Sequence, residues 1–208
     1  MEQYSHLIST IALTMGVGWA SGINLYAAVV TLGLLGATGN IVLPQDLQIL
    51  TDPVVIFAAG TMYVIEFITD KIPGIDSSWD ALHTFIRIPA GAILAASAVG
   101  DVSAPVAIAA GLLGAGLATG SHAAKAGTRV MINTSPEPFT NWFASIGEDV
   151  AVIAGIWTAL HHPVIFLVLL ACFLLALAWL LPRLWTGIKR VFHFLGRLFS
   201  KRGTTRQE

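Results

Sequence analysis

Long apolar segments separated by short polar connections constrain this chain more than any other feature. About 20 apolar residues are enough for a helix to cross a lipid bilayer, and residues 7–37, 106–132, 142–160 and 164–181 reach or approach this length. Charged residues form 11% of the 208 residues, compared with about 25% in soluble domains. The sequence therefore predicts an integral membrane protein rather than a soluble domain.

Two shorter apolar segments, residues 54–68 and 90–99, bring the predicted number of transmembrane helices to about six. We expect an all-α polytopic membrane protein with one transmembrane domain over residues 1–182. The lipid bilayer is then its main expected partner, and a homo-oligomer is compatible with this class of protein.

Two of the apolar segments are longer than one crossing requires, and each contains a stretch that disfavours an uninterrupted helix. Ser21, Gly22 and Asn24 interrupt the first, and residues 118–122 (ATGSH) interrupt the second. Such stretches are typical of broken or re-entrant helices. The alternative is a long tilted helix that packs closely at its small residues.

The two interrupted stretches also resemble each other. Residues 19–28 are similar to residues 117–126, and the copies are three predicted spans apart. This predicts a 3+3 inverted repeat of residues 7–100 and 103–182, an arrangement found in many transporters. Because small residues recur in membrane helices, a chance similarity is the alternative.

The distribution of basic residues predicts the orientation. Seven of the eleven Lys and Arg residues follow Pro182, and basic residues favour the cytoplasmic side. Residues 183–208 are therefore expected to form a basic amphipathic cytoplasmic tail that lies on anionic lipids. With six spans, the N-terminus is expected to be cytoplasmic too. The tail gives no reason to expect a nucleic-acid partner.

The other four basic residues lie in two short stretches of the body of the chain. A helix starting near Ser77 places Asp76, Asp80, His83 and Arg87 on one face, since their spacings are four, three and four. In the second stretch, residues His122, Lys125 and Arg129 form one stripe with spacings of three and four. Charges inside a span normally face a partner or a water-filled cavity.

We interpret these stretches first as the site of a membrane transporter or flippase. Its substrate would be an anionic, phosphorylated lipid or small molecule, and its transport would be coupled to protons. The candidate substrate-binding residues are Arg87, Arg129, Lys125, Lys71, Asn24 and His122. The candidate proton-coupling or ion-pairing residues are Glu66, Asp70, Asp80, His83, Glu148 and Asp149. The structural alternative is that the acids only neutralise the bases and tie helices together.

Two other functions remain open. A metal-dependent membrane enzyme acting on lipid phosphate head groups would use Asp76, Asp80 and His83 as ligands of a divalent metal, with His122, Glu137 or Glu148 completing the set. An ion or proton channel would use the acidic residues to line its path. The sequence contains no HExxH motif, so we favour a transporter, for which no cofactor is expected.

Six short motifs resemble a family of small bacterial membrane proteins known as domain of unknown function 4126. The resemblance covers about residues 10–180 and implies a multi-pass protein of the bacterial inner membrane. The family has no established activity, so the resemblance implies no substrate or cofactor. The matching motifs are ASGIN at 20–24, EFITDKIP at 66–73, DSSWDALH at 76–83, RIPAG at 87–91, SPEP at 135–138 and ED at 148–149.

Overall fold

Helices form nearly all of the described chain. The structure, a computed structural model, describes residues 2–133 and 138–202, and these ranges contain no β-strand. The helices are α1 (Glu2–Ala37), α2 (Pro53–Thr69), α3 (Ile75–Ala98), α4 (Ala104–Ile132), α5 (Pro138–His161) and α6 (Pro163–Arg202), with a 3-10 helix (Gln45–Thr51) before α2.

The helices have the length and hydropathy of membrane spans. Five of them are long and apolar enough to cross a membrane, and a sixth qualifies if the 3-10 helix and α2 are counted as one span bent by 68°. The Asp52 side chain sets the start of α2, since it accepts a 2.7 Å hydrogen bond from the backbone N–H of Val54. The prediction of an all-α polytopic membrane protein is confirmed.

Helix α1 is interrupted at Asn24, as its sequence predicts. The backbone of Asn24 is extended, with φ −147° and ψ 95°. Its side-chain Oδ1 accepts a 2.9 Å hydrogen bond from the backbone N–H of Ala27, so Asn24 caps the helix that follows it. Residues 2–23 and 25–37 therefore form two separate arms.

The second arm of α1 returns to the end of the bundle where the first arm begins. A straight helix from Leu13 to Asn40 would be about 40 Å long, yet both residues line the same cavity of about 380 Å³. Ala98 at the end of α3 and His161 at the end of α5 line it too. Helix α1 is therefore a re-entrant hairpin. We call this end of the bundle the entry end. The opposite end, toward which the buried basic side chains of α3 and α4 lie, is called the network end.

The hairpin changes the expected path of the chain. Helices α2 to α6 run alternately between the two ends, because α2 leaves the entry end after Thr51 and α6 leaves it at Pro163. This differs from the six crossings expected from the sequence, in which residues 7–37 cross and both termini share a side. Here the N-terminus is at the entry end, whereas α6 runs toward the network end.

Cysteine labelling tests the hairpin. On a Cys172→Ala background, a membrane-impermeant maleimide is expected to label Tyr4→Cys and Gln48→Cys from the same side of the membrane. Both positions are exposed at the entry end. Ile72→Cys, in the connection between α2 and α3, should react only from the other side. Labelling of Tyr4→Cys and Gln48→Cys from opposite sides would show that α1 crosses.

The second predicted break is absent, because α4 is an uninterrupted helix from Ala104 to Ile132. Its small residues serve close packing instead. Ser121 Oγ lies 2.8 Å from the carbonyl oxygens of both Trp19 and Leu117. Its single hydroxyl proton can be donated to Trp19, and this bond holds the first arm of α1 against α4. The second interrupted segment of the chain is the bent pair of the 3-10 helix and α2.

The first arm of α1 runs parallel to α4. Gly18 packs on Gly114, and four residues later Gly22 packs on Ala118 and Ser121. An inverted repeat would place these two segments in opposite directions, so the repeat stays a prediction without structural support.

Two prolines lie inside helices where the sequence suggests boundaries. Pro89 is inside α3, so the polar motif and the predicted third span form one helix. Pro182 is inside α6, which continues to Arg202. The domain boundary after residue 182 and the lipid-bound tail therefore stay predictions, and residues 203–208 lie outside the described residues.

Candidate functional site: a buried ion-pair network

Seven ionisable side chains from four helices meet inside the bundle, toward the network end. Their side chains are at most 2% exposed except that of Glu148, which is 17% exposed. We call this set the ion-pair network, and all its members were predicted as site residues. The bases are Arg87 from α3 and Lys125 and Arg129 from α4; the acids are Glu66 from α2, Asp70 at its end, Asp80 from α3 and Glu148 from α5.

Arg87 pairs with an acid of α2 and with a second acid on its own helix, α3. One terminal nitrogen, Nη2, pairs with Glu66, and the other, Nη1, donates a 3.0 Å hydrogen bond to Asp80 Oδ1. Asp80 precedes Arg87 by seven residues, so the two side chains share a helix face. Nη1 is also 3.2 Å from His122 Nδ1. Carboxylates therefore surround the Arg87 charge.

Lys125 lies at the centre of the network. Its Nζ donates hydrogen bonds to Glu66 Oε1 at 3.0 Å and to Asp70 Oδ2 at 2.9 Å. Glu148 Oε2 at 3.4 Å and Asp80 Oδ1 at 3.7 Å complete its surroundings. One ammonium group thus contacts acids from all the other helices of the network.

Arg129 holds Glu148 with two parallel hydrogen bonds. Nε is 3.2 Å from Oε1 and Nη2 is 2.7 Å from Oε2. The third nitrogen, Nη1, donates to the backbone carbonyl oxygens of Asp70 at 2.8 Å and Asn141 at 3.3 Å. This is the bidentate geometry in which guanidinium groups bind carboxylates most strongly.

The turn of the α1 hairpin contacts the helices of the network. Asn24 Nδ2 donates a 2.9 Å hydrogen bond to Asp149 Oδ1, and Ser21 Oγ donates one of 2.8 Å to the carbonyl oxygen of Arg87. Asn24 and Asp149 are both predicted site residues. The residue that interrupts α1 therefore binds the neighbour of Glu148.

The two predicted histidines flank the network. His122 Nε2 is 2.7 Å from Thr84 Oγ1. His83 stacks on Trp79 at a centroid distance of 4.2 Å, and its Nε2 is 3.1 Å from the Tyr26 hydroxyl. Which ring nitrogen carries the proton decides the donor in each contact. Thr84 lies on the same stripe of α3 as Asp80 and could have been found from spacing, whereas no pattern points to Tyr26.

The candidate metal ligands do not converge on a common point. Asp76 accepts hydrogen bonds from Asn133 Nδ2 and from the backbone N–H of Ser77, while Asp80 pairs with Arg87. Within residues 2–133 and 138–202, no three His, Cys, Asp or Glu side chains are arranged to hold a metal ion. Glu137, a further candidate, lies outside the described residues.

Lys71 is separate from the network. Its Nζ donates a 2.8 Å hydrogen bond to the carbonyl oxygen of Phe67 and lies 2.9 Å from the centroid of that ring. Burial lowers the pKa of Lys71 from its ordinary value, and the charges of Asp149 and Asp70 oppose this shift.

The network has more acids than bases. Its three cations and four carboxylates carry a formal charge of −1 if all are ionised. Three of its buried carboxylate oxygens, Glu66 Oε2, Asp70 Oδ1 and Asp80 Oδ2, have no hydrogen-bond partner in the described part of the chain. Unpaired buried carboxylate oxygens are costly.

This fold and this network define a multi-pass α-helical membrane protein built around buried, mutually paired charges. The chain belongs to the family described as domain of unknown function (DUF4126), whose model matches residues 11–183. The matched region includes every residue of the network, and the resemblance predicted from the sequence motifs is confirmed. No curated protein and no solved structure matches the chain.

Proposed function

We propose that the protein is a proton-coupled membrane transporter of an anionic substrate and that the ion-pair network is its coupling site. The observation that supports this most is the set of three fully buried bases, each in contact with carboxylates from other helices. Ionisable groups inside a membrane are expensive and usually mark pathways for ions or protons.

The charge balance favours one bound proton. A formal charge of −1 inside the bundle is unfavourable because its hydration is lost on burial. One proton shared among the acids makes the network neutral. The unpaired oxygens of Glu66, Asp70 and Asp80 are the atoms at which that proton would reside without breaking an existing hydrogen bond.

Protonation also explains how an anion would enter. All three bases of the network are occupied by carboxylates, so none of the three is free to bind a substrate in this arrangement. When a carboxylate takes up a proton, its attraction for the neighbouring base weakens, and an anionic substrate can replace it. Because a proton and a monoanion then enter together, the buried charge does not change.

The proposed orientation rests on α2 to α6 as the five crossings, with α1 entering from one side only, and on the basic residues. With the basic end of α6 in the cytoplasm, the network end faces the cytoplasm and the entry end, with the N-terminus, faces the exterior. The entry-end connections contain Asp46, Asp52 and Asp101 but no Lys or Arg. The bacterial inner membrane is the expected location.

Reconstitution into liposomes tests the proposed function. With a trapped pH indicator and the membrane potential clamped, an inward gradient of inorganic phosphate, succinate or glycerol 3-phosphate should acidify the lumen for at least one of these anions. Arg129→Gln is expected to slow this acidification more than tenfold, corresponding to a loss of at least about 1.4 kcal/mol of binding or barrier energy.

The control variant is Arg183→Gln, because Arg183 is exposed and contacts Trp179 rather than the network. It should transport at the wild-type rate. If none of the three anions moves protons, or if Arg129→Gln transports as fast as Arg183→Gln, the proposed coupling is wrong.

A further inference from the structure

Glu148 differs from the other acids of the network in its exposure and in the geometry with which it is held. It is the member with a partly exposed side chain, at 17% against at most 2%. It is also the acid that one guanidinium group holds through two parallel hydrogen bonds, from Nε and Nη2 of Arg129, and the Nζ of Lys125 lies 3.4 Å away. The Glu148 carboxylate therefore occupies the outer position of the network.

The groups that hold Glu148 have other anchors. Arg129 Nη1 donates to the backbone carbonyl oxygens of Asp70 and Asn141, and Lys125 is bound by Glu66 and Asp70. If the Glu148 side chain swings away, both bases keep these partners. The Nε and Nη2 atoms of Arg129 then remain as a preformed fork for an anion.

We infer that Arg129 and Lys125 form a substrate site that the Glu148 carboxylate, tethered by its own side chain, occupies in this structure. The substrate displaces this carboxylate with an anionic group of two neighbouring oxygens. This inference rests on the proposed transport function and names its substrate class. Carboxylates and phosphates share this pair of oxygens. The exchange replaces one anion by another and breaks no covalent bond.

Removing the tethered carboxylate should open the site to small anions. We expect Glu148→Ala to be less stable to heat than the wild-type protein, and to regain about 5 °C in Tm when formate or inorganic phosphate is added to saturation at neutral pH. Chloride at the same ionic strength is the salt control. The wild-type protein should show no such shift, since Glu148 occupies the site.

Formate and phosphate distinguish the two substrate chemistries. Stabilisation by formate alone assigns a carboxylate-sized site, and stabilisation by phosphate alone assigns a phosphate site. The isosteric Glu148→Gln variant, which retains side-chain volume and loses the charge, is measured in parallel. If Glu148→Ala does not fold, the same anion-dependent shift is expected for Glu148→Gln.

Two controls separate a specific site from general anion effects. In Glu148→Ala combined with Arg129→Gln, the fork is lost and neither anion should stabilise the protein. Asp149→Ala removes the adjacent acid, which binds the Asn24 amide rather than a base, and should show no shift. Equal stabilisation of either control, or no stabilisation of both Glu148 variants, overturns the inference.

The outcomes also separate this inference from the proposed function. Anion-dependent stabilisation of Glu148→Ala with no proton movement in liposomes would support the site and reject the transporter. Proton-coupled transport by the wild-type protein with no stabilisation of either Glu148 variant would reject the site and leave the transporter.

Discussion

Arg87→Ala is expected to lower the free energy of unfolding by about 3–5 kcal/mol, the usual cost of removing one partner of a buried ion pair. The substitution leaves Glu66 and Asp80 without their guanidinium partner in a site where all three side chains are at most 1% exposed. Most of the loss comes from these two buried carboxylates, which then share Lys125 as their remaining cationic partner, rather than from the missing attraction itself.

Thermal unfolding in lipid nanodiscs would measure this effect, and a decrease of about 10 °C in Tm is expected for a chain of this size. The matched control is Arg183→Ala at an exposed position, which should change Tm little. A triple variant, Arg87→Met with Glu66→Gln and Asp80→Asn, removes the charges together and should recover part of the loss. An Arg87→Ala protein as stable as Arg183→Ala would show that the pairing does not contribute to stability.

Gly22→Ala is expected to be the most damaging of the small substitutions. A Cβ atom at Gly22 would lie 2.0 Å from Ser121 Oγ and 2.2 Å from the backbone carbonyl oxygen of Ala118. The hydroxyl can rotate, but the α4 backbone cannot yield without moving the helix. Overpacking of this kind costs about 1–3 kcal/mol and more where backbones collide, so a loss of about 3 kcal/mol is expected.

Gly60→Ala and Gly116→Ala are matched controls for Gly22→Ala, since they change helical glycines that have no atom within 4 Å of the added Cβ. Alanine favours a helix over glycine by about 1 kcal/mol, so these variants should be slightly more stable than the wild-type protein. Thermal unfolding would therefore show shifts of opposite sign. If Gly22→Ala stabilises the protein like Gly60→Ala, the α1–α4 contact is not as close as described.

The break in α1 could be predicted from the sequence, but the hairpin that this break produces could not. Asn24 in an apolar segment indicates an interruption, because its side chain competes for backbone hydrogen bonds. The direction of the second arm depends on what it packs against, here Leu50 and Ile56 beside Gly33, and these lie far along the chain. Residues 118–122 have a similar composition yet stay helical, because Ser121 bonds across to α1.

The members of the network could be predicted, whereas their pairing could not. Helical spacing places Asp80 and Arg87 on one face, and hydropathy indicates that such charges need partners. Spacing does not tell which acid meets which base across helices. The sequence therefore left open whether Arg87, Lys125 and Arg129 were free to bind an anion. In the structure each of them already holds a carboxylate.

The distribution of the network over the helices determines which helices can move without separating opposite charges. Helices α2, α3, α4 and α5 each contribute at least one charge, so displacing any of them separates opposite charges in a medium of low dielectric constant. They behave as one mechanical unit while the pairs are intact. Among the side chains that the structure describes, helix α6 contributes no member and makes apolar contacts such as that of Leu177 on Gly120. Displacing α6 therefore separates none of these ion pairs, whereas displacing any of the other four helices does.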